Sequence, residues 1–292
     1  MTDQINEVSV ASSPDPTSID FQCTECGKCC HGLRLPLTVT EAIAWLERAG
    51  TVELMCEAIP WQSEPEPDQL VAAHKRRRSF PAMSGGLPVR VIVVLAARFE
   101  DACPNLLPDQ RCNIYLERPL VCRIYPAEIN PFIALEPAHK GCPPEAWTLP
   151  QPLVRQGQVV DAQVWDSIQK SRASDQREAP LKAAVCTALG IDIAEFSSVG
   201  FAVHHPEPAA LLEALRAVAA SVPAEIAGPD GGSEGGGLGE GPVILREAPM
   251  PEWRFSTARQ DLTEALVSIG ANVADQHAPS SGGARWERLS LS

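Results

Sequence analysis

Ten cysteines stand among 292 residues, and eight of them fall into two groups whose spacing could hold metal. Residues 21–31 read FQCTECGKCCH, which places Cys23, Cys26, Cys29 and Cys30 close together with His31 next in line. Thiols separated by two residues can converge on one centre when the chain curls round it, and Gly27 supplies the conformational freedom for that curl. The same spacing opens the ferredoxin run that binds a four-iron cluster with a further cysteine from elsewhere. It is not the three-then-two spacing of radical enzymes that cleave S-adenosylmethionine, so that chemistry is not expected. Side chains of neighbours such as Cys29 and Cys30 tend to diverge, so one of the two serves a second centre or stays a reactive thiol.

Residues 103–126 read CPNLLPDQRCNIYLERPLVCRIYP, giving Cys103, Cys112 and Cys122, and Cys142 follows. With the first group these make eight thiols, enough for two four-thiolate centres. A closed zinc site takes four such ligands in a tetrahedron, and a cubane iron–sulfur cluster also takes four. Ligand count leaves both open. Arg118 and Arg123 flank Cys122, where a cation favours the thiolate; the competing reading pairs them with Glu117 or Asp109 at the surface. The only two tyrosines, Tyr115 and Tyr125, fall in the same group. Each either packs beside the site or donates a hydrogen bond to sulfur, and packing is expected. His31 is a candidate ligand that eight cysteines make unnecessary. His204, His205, Cys56 and Cys186 lack partner spacing and are read as structural.

The elements around these groups must carry them to one place. Leu33, Leu35 and Leu37 alternate with polar or small residues, which suits a half-buried strand kept to a sheet edge by Pro36. Thr38 and Glu41 have capping-box spacing for a helix ended by Gly50. Residues 57–70, rich in Pro and Glu, read as a surface excursion, and the run Lys75 to Arg78 as a solvated loop. The β-branched stretch from Pro88 to Ala97 is the best strand in the sequence, and it leads straight to Cys103. Helices are expected over 163–172 and 178–189, along a stripe of Leu211, Leu212, Leu215, Val218 and Val222, and near Thr257–Ile269. Short strands are expected at Val243–Arg246 and Arg285–Leu291.

Composition sets the limits. Aromatics at 5% and 27 prolines predict a loop-rich protein with few long strands. A formal charge of −13 argues against nucleic-acid binding. The N-terminal MTDQINEVSV lacks the basic start and apolar run of a signal peptide, and no stretch of about 18 apolar residues offers a membrane span. A cytoplasmic chain is expected, where clustered cysteines bind metal or do redox chemistry more often than they form disulfides. The predicted fold class is α+β. A disordered segment (1–19) precedes a cysteine-cluster domain (20–149), a helical extension (150–228), a Gly-rich linker (229–242) and a small appendage (243–292).

The pattern CxxCxxCC followed by C-x8-C-x-I-Y-x-x-R-P-x-x-C-R-x-Y-P resembles the YkgJ-type cysteine-cluster family, described as zinc- or iron-chelating. The resemblance covers roughly Phe21 to Cys142. It implies Cys23, Cys26, Cys29, Cys30, Cys103, Cys112, Cys122 and Cys142 as ligands, with Arg118, Pro119, Arg123, Tyr125 and Pro126 as motif residues. Members are labelled iron–sulfur oxidoreductases, and flagellin lysine methylases carry a similar cluster. The expectation is a metal-binding protein holding a 4Fe-4S cluster or zinc, with a redox or metal-handling role. The alternatives are a zinc-stapled module that binds a protein partner and a lysine methylase, for which no nucleotide-type glycine turn is found. No catalytic residue is assigned.

Overall fold

The computed structural model describes residues 18–221, 250–275 and 278–290. The segment 1–17, the glycine-rich 229–242 and the strand expected at Val243–Arg246 lie outside them.

After a two-residue strand β1 (Ile19–Asp20), the chain runs through the first cysteine group into β2 (His31–Leu37). The alternation of leucines puts Leu35 and Leu37 inward, and β2 ends the strand path as an edge, where Pro36 costs no ladder bond. Helix α1 (Val39–Glu47) starts on the full capping box: the Thr38 hydroxyl accepts from Glu41 N, and the Glu41 carboxylate accepts from Thr38 N at 2.9 Å.

Next comes β3 (Thr51–Pro60), which overturns the reading of residues 57–60 as surface chain. This strand is covered on both faces, so it lacks the period of two that marks a half-buried strand. Helix α2 (Leu70–Arg77) holds most of the basic run, correcting its assignment to a loop. Strands β4 (Phe80–Ser84) and β5 (Leu87–Ala102) follow. At sixteen residues β5 exceeds the short strands expected from composition. It is the axis of the fold, pairing antiparallel with β2, β3 and β4.

Helix α3 (Leu120–Ile124) carries Cys122, and β6 (Pro152–Arg155) and β7 (Gln158–Val159) join β1 in a small three-stranded sheet. The two helices expected over 163–189 are one, α4 (Ala162–Leu189), capped by the Asp161 carboxylate and closed by Gly190 in the left-handed conformation. Its polar middle stays helical because buried groups there find partners: Glu178 accepts from the free Val39 N–H at 3.0 Å and lies 3.6 Å from Lys182.

Strands β8 (Ile193–Phe196) and β9 (Gly200–His204) both pair with β3. Helix α5 (Pro208–Ala220) buries Leu211, Leu215 and Val218 as the stripe predicts. Residues 250–290 contribute β10 (Arg254–Ser256), α6 (Gln260–Ser268) and β11 (Trp286–Ser290), with β10 on β8 and β11 on β9. The result is an α+β protein with an eight-stranded mixed sheet, whose core draws on residues from Leu35 to Ala271. No helix among the described residues is long and apolar enough to cross a membrane.

Candidate metal centre

All eight clustered cysteines line one cavity of ≈ 530 Å³ at the β2 end of the main sheet. Cys23 is exposed and the other seven are half-buried.

The sheet makes the first join between the two groups. His31 pairs with Ala102 in the β2–β5 ladder, and just beyond it the Cys103 N–H donates to the Cys30 carbonyl at 2.8 Å. The strand read from residues 88–97 therefore does deliver the second group to the first. The first group is a tight loop, with Cys30 N donating to Gly27 O at 2.9 Å. Gly27 has φ +69°, and a Cβ there would lie 2.9 Å from the Gln110 side chain and 3.0 Å from its carbonyl. A side chain would push the 103–112 loop off the 23–30 loop.

Further contacts set the remaining sulfurs. Phe21 and Gln22 donate from their backbones to Gln151 and Ala146, and the Phe21 and Trp147 rings lie 4.9 Å apart, anchoring the approach to Cys23. The second carboxylate oxygen of Glu41 accepts from Leu120 N at 2.7 Å, so the acid that caps α1 also fixes the start of the helix bearing Cys122. The Tyr125 hydroxyl accepts from Gly141 N at 2.8 Å, which packs the ring beside Cys142.

Arg118 lines the cavity, lies over the Tyr115 ring at 3.7 Å and donates to the Tyr115 carbonyl. The surface alternative fails for this residue, since Glu117 pairs with Arg48 and Asp109 with Arg111. Arg123 instead donates to the Arg118 and Leu116 carbonyls, stapling the loop. His31 lines the cavity with Nδ1 3.2 Å from Gly27 O.

The sulfurs affect one another's protonation. A hydrogen bond from Cys30, assisted by backbone N–H and by Arg118, brings Cys29 down to about 7 despite partial burial. The same bond, burial and the charges of Cys29, Cys103 and Cys122 push Cys30 far up. Burial, then Cys103, raises Cys122 to about 12, and burial raises Cys142 to about 11 with contributions from Cys29, Cys23 and Cys26. Without a cation the cavity favours few thiolates at once. Zinc and iron–sulfur centres supply that charge, so the donor set fits them chemically. Geometrically, no three His, Cys, Asp or Glu side chains among the described residues form a set that could hold one ion.

Several lining residues carry no signal in the cysteine spacing. Trp45 and Phe99, stacked at 6.3 Å, form an apolar floor with Leu33, Leu35 and Val121, while Lys28, Arg34 and Lys140 add cations. Contacts made only on folding bring them in. Elsewhere His204 is fully buried, its Nε2 2.8 Å from Ile193 O, and burial lowers it to about 4. Cys56 on β3 and Cys186 on α4, without partner spacing, are both buried in the core, where burial first and then Cys186 push the Cys56 thiol up.

No curated protein and no solved structure matches this chain. A family model does, over the stretch that builds the cavity: residues 22–143 match the family described as "CxxCxxCC: Putative zinc- or iron-chelating domain".

Proposed function

We propose that the cavity holds two four-thiolate centres of iron–sulfur type and that the protein works in electron transfer or metal handling. The observation that carries this reading is one cavity lined by eight thiols. A single zinc draws four sulfurs to about 2.3 Å from itself, whereas a cubane spreads four thiolates over its corners. The wide cavity, with no one-ion set among the described residues, favours the larger object.

The mutual influence of the sulfurs suggests the division. Cys142 feels Cys23, Cys26 and Cys29, and Cys122 feels Cys103 and Cys112, while Cys29 acts on both sides, on Cys30, Cys103 and Cys122 as well as on Cys142. Cys23, Cys26, Cys29 and Cys142 form one proposed set, and Cys30, Cys103, Cys112 and Cys122 the other. The adjacent Cys29 and Cys30, whose thiols interact with each other, would then sit where the two centres meet. A bound cluster of this kind supplies one-electron chemistry. The chain's part is to hold the thiolates, to offset their charge with Arg118, to exclude water with Trp45 and Phe99, and to pack Tyr125 beside Cys142.

Anaerobic purification with iron, zinc and acid-labile sulfide analysis tests the reading. A brown protein with sulfide supports it, and Cys142→Ser should then remove about half of the iron, the other four-thiolate cluster remaining. A colourless protein containing zinc without sulfide overturns it in favour of a zinc-stapled module. Loss of all iron in Cys142→Ser would leave one centre instead of two.

A further inference from the structure

A second cavity, of ≈ 380 Å³, lies away from the sulfurs, between α2, α4 and the chain at Pro131. It is lined by His74, by Arg77 and Arg78 from the basic run and by Arg172 and Asp175 from α4, so residues inside and outside the family-matched stretch build it together. Three guanidinium groups face one another there in a chain whose net charge is −13. Such crowding costs free energy unless something negative is shared among them.

The protein supplies little of that charge. Asp175 is the only carboxylate in the lining, 3.8 Å from Arg78 and 3.5 Å from Lys182, so its charge is divided. Arg77 and Arg172 have no carboxylate within ion-pair distance among the described residues. Arg172 is held in place by donating from Nε to the Ile129 carbonyl at 2.9 Å, which leaves the outer edge of its guanidinium for another acceptor. Two nitrogens are sealed from solvent without a hydrogen-bond partner among the described residues: His74 Nε2, and Arg78 Nε, which has Asp175 at 3.8 Å. Leaving such groups unpaired is costly. The exposed Phe132 ring stands edge-on to His74 at 5.8 Å and gives the cavity an apolar rim.

We propose that this cavity binds the phosphate group of a small phosphorylated molecule, with Arg77, Arg78 and Arg172 as its charged donors and His74 beside them. Planar guanidinium forks match phosphoryl oxygens two at a time, and arginine is the side chain of choice for that recognition. The volume suits a small molecule. The formal charge of −13 over the whole chain opposes a long polyanion such as nucleic acid.

Binding is linked to protons. Burial first, then Arg78, Arg77 and Arg172, depress the His74 pKa, and Asp175 alone opposes them. A bound dianion reverses that balance, so His74 takes up a proton on binding and affinity rises as pH falls.

The test is calorimetric titration of the full, metal-loaded chain with inorganic pyrophosphate at low ionic strength. Arg77→Gln and Arg172→Gln should each weaken binding at least about tenfold, the loss expected for a charge-assisted contact. Arg76→Gln, whose side chain pairs with exposed Glu64 outside the cavity, should bind like the unaltered chain. Metal content and far-UV circular dichroism should be the same in all three variants, which separates this outcome from any failure at the sulfurs. Sulfate, whose charge is constant between about pH 5 and pH 8, should bind more tightly at the acid end, and His74→Gln should flatten that slope. Absence of saturable pyrophosphate binding by the unaltered chain, or equal weakening in Arg76→Gln, overturns the proposal.

Discussion

Two populations of cysteine in this chain show how surroundings decide the fate of one side chain. Eight sit on loops and a short helix, half-buried or exposed, turned towards a shared cavity with cations on its wall. Cys56 and Cys186 sit on a central strand and a long helix, buried in the apolar core where each influences the other. Loops can bend several sulfurs towards a common point, whereas these two core elements bring one cysteine each. The core pair behaves as small apolar residues.

The contrast is broken most sharply by serine substitution on each side. Cys122→Ser should abolish metal loading of its centre, read by iron and zinc analysis, with little change in unfolding of the metal-free chain. Cys186→Ser should leave metal content intact and cost ~1–3 kcal/mol in denaturant unfolding, because a hydroxyl enters an apolar site. Metal loss in the Cys186→Ser chain would erase the distinction.

Acid should strike the core side first. His204 is held neutral by burial, with a pKa of about 4 against an ordinary value near 6.5. Its folded-state pKa is depressed, so the unfolded chain binds a proton that the folded chain refuses. Stability is full above about pH 6.5 and falls, by up to ~3 kcal/mol, as pH drops towards 4. His204→Gln should remove that part of the slope in a pH series of urea melts.

The smallest effect lies where the two regions meet. Thr38→Ala removes the hydroxyl that caps α1 and should cost ~1 kcal/mol. Glu41, which also holds Leu120, stays in place, so metal content should hold.

Local chemistry made much of this legible in the sequence. The leucine alternation before Thr38, the capping box itself and the β-branched stretch after Pro88 all became the elements they predict. What escaped depends on distant partners. In β3 the carboxylate of Glu53 is completely enclosed, made tolerable by Arg34, with Arg98 at 3.9 Å and His205 at 3.7 Å. Nothing in the sequence around Glu53 marks it for burial until those partners are known. Arg77 and Arg78 likewise became part of a cavity only because α4 supplies Arg172 and Asp175 opposite them. For the cysteines, spacing pointed to a shared location, while the apolar floor of Trp45 and Phe99 came from elements whose sequences mention no metal.

The bond from Cys103 N–H to the Cys30 carbonyl makes the central ladder a jig for the inorganic site. Every rung zipped between β2 and β5 brings Cys30 and Cys103 to one rim, so their spacing follows from strand register. Metal removal is therefore expected to leave this rim standing.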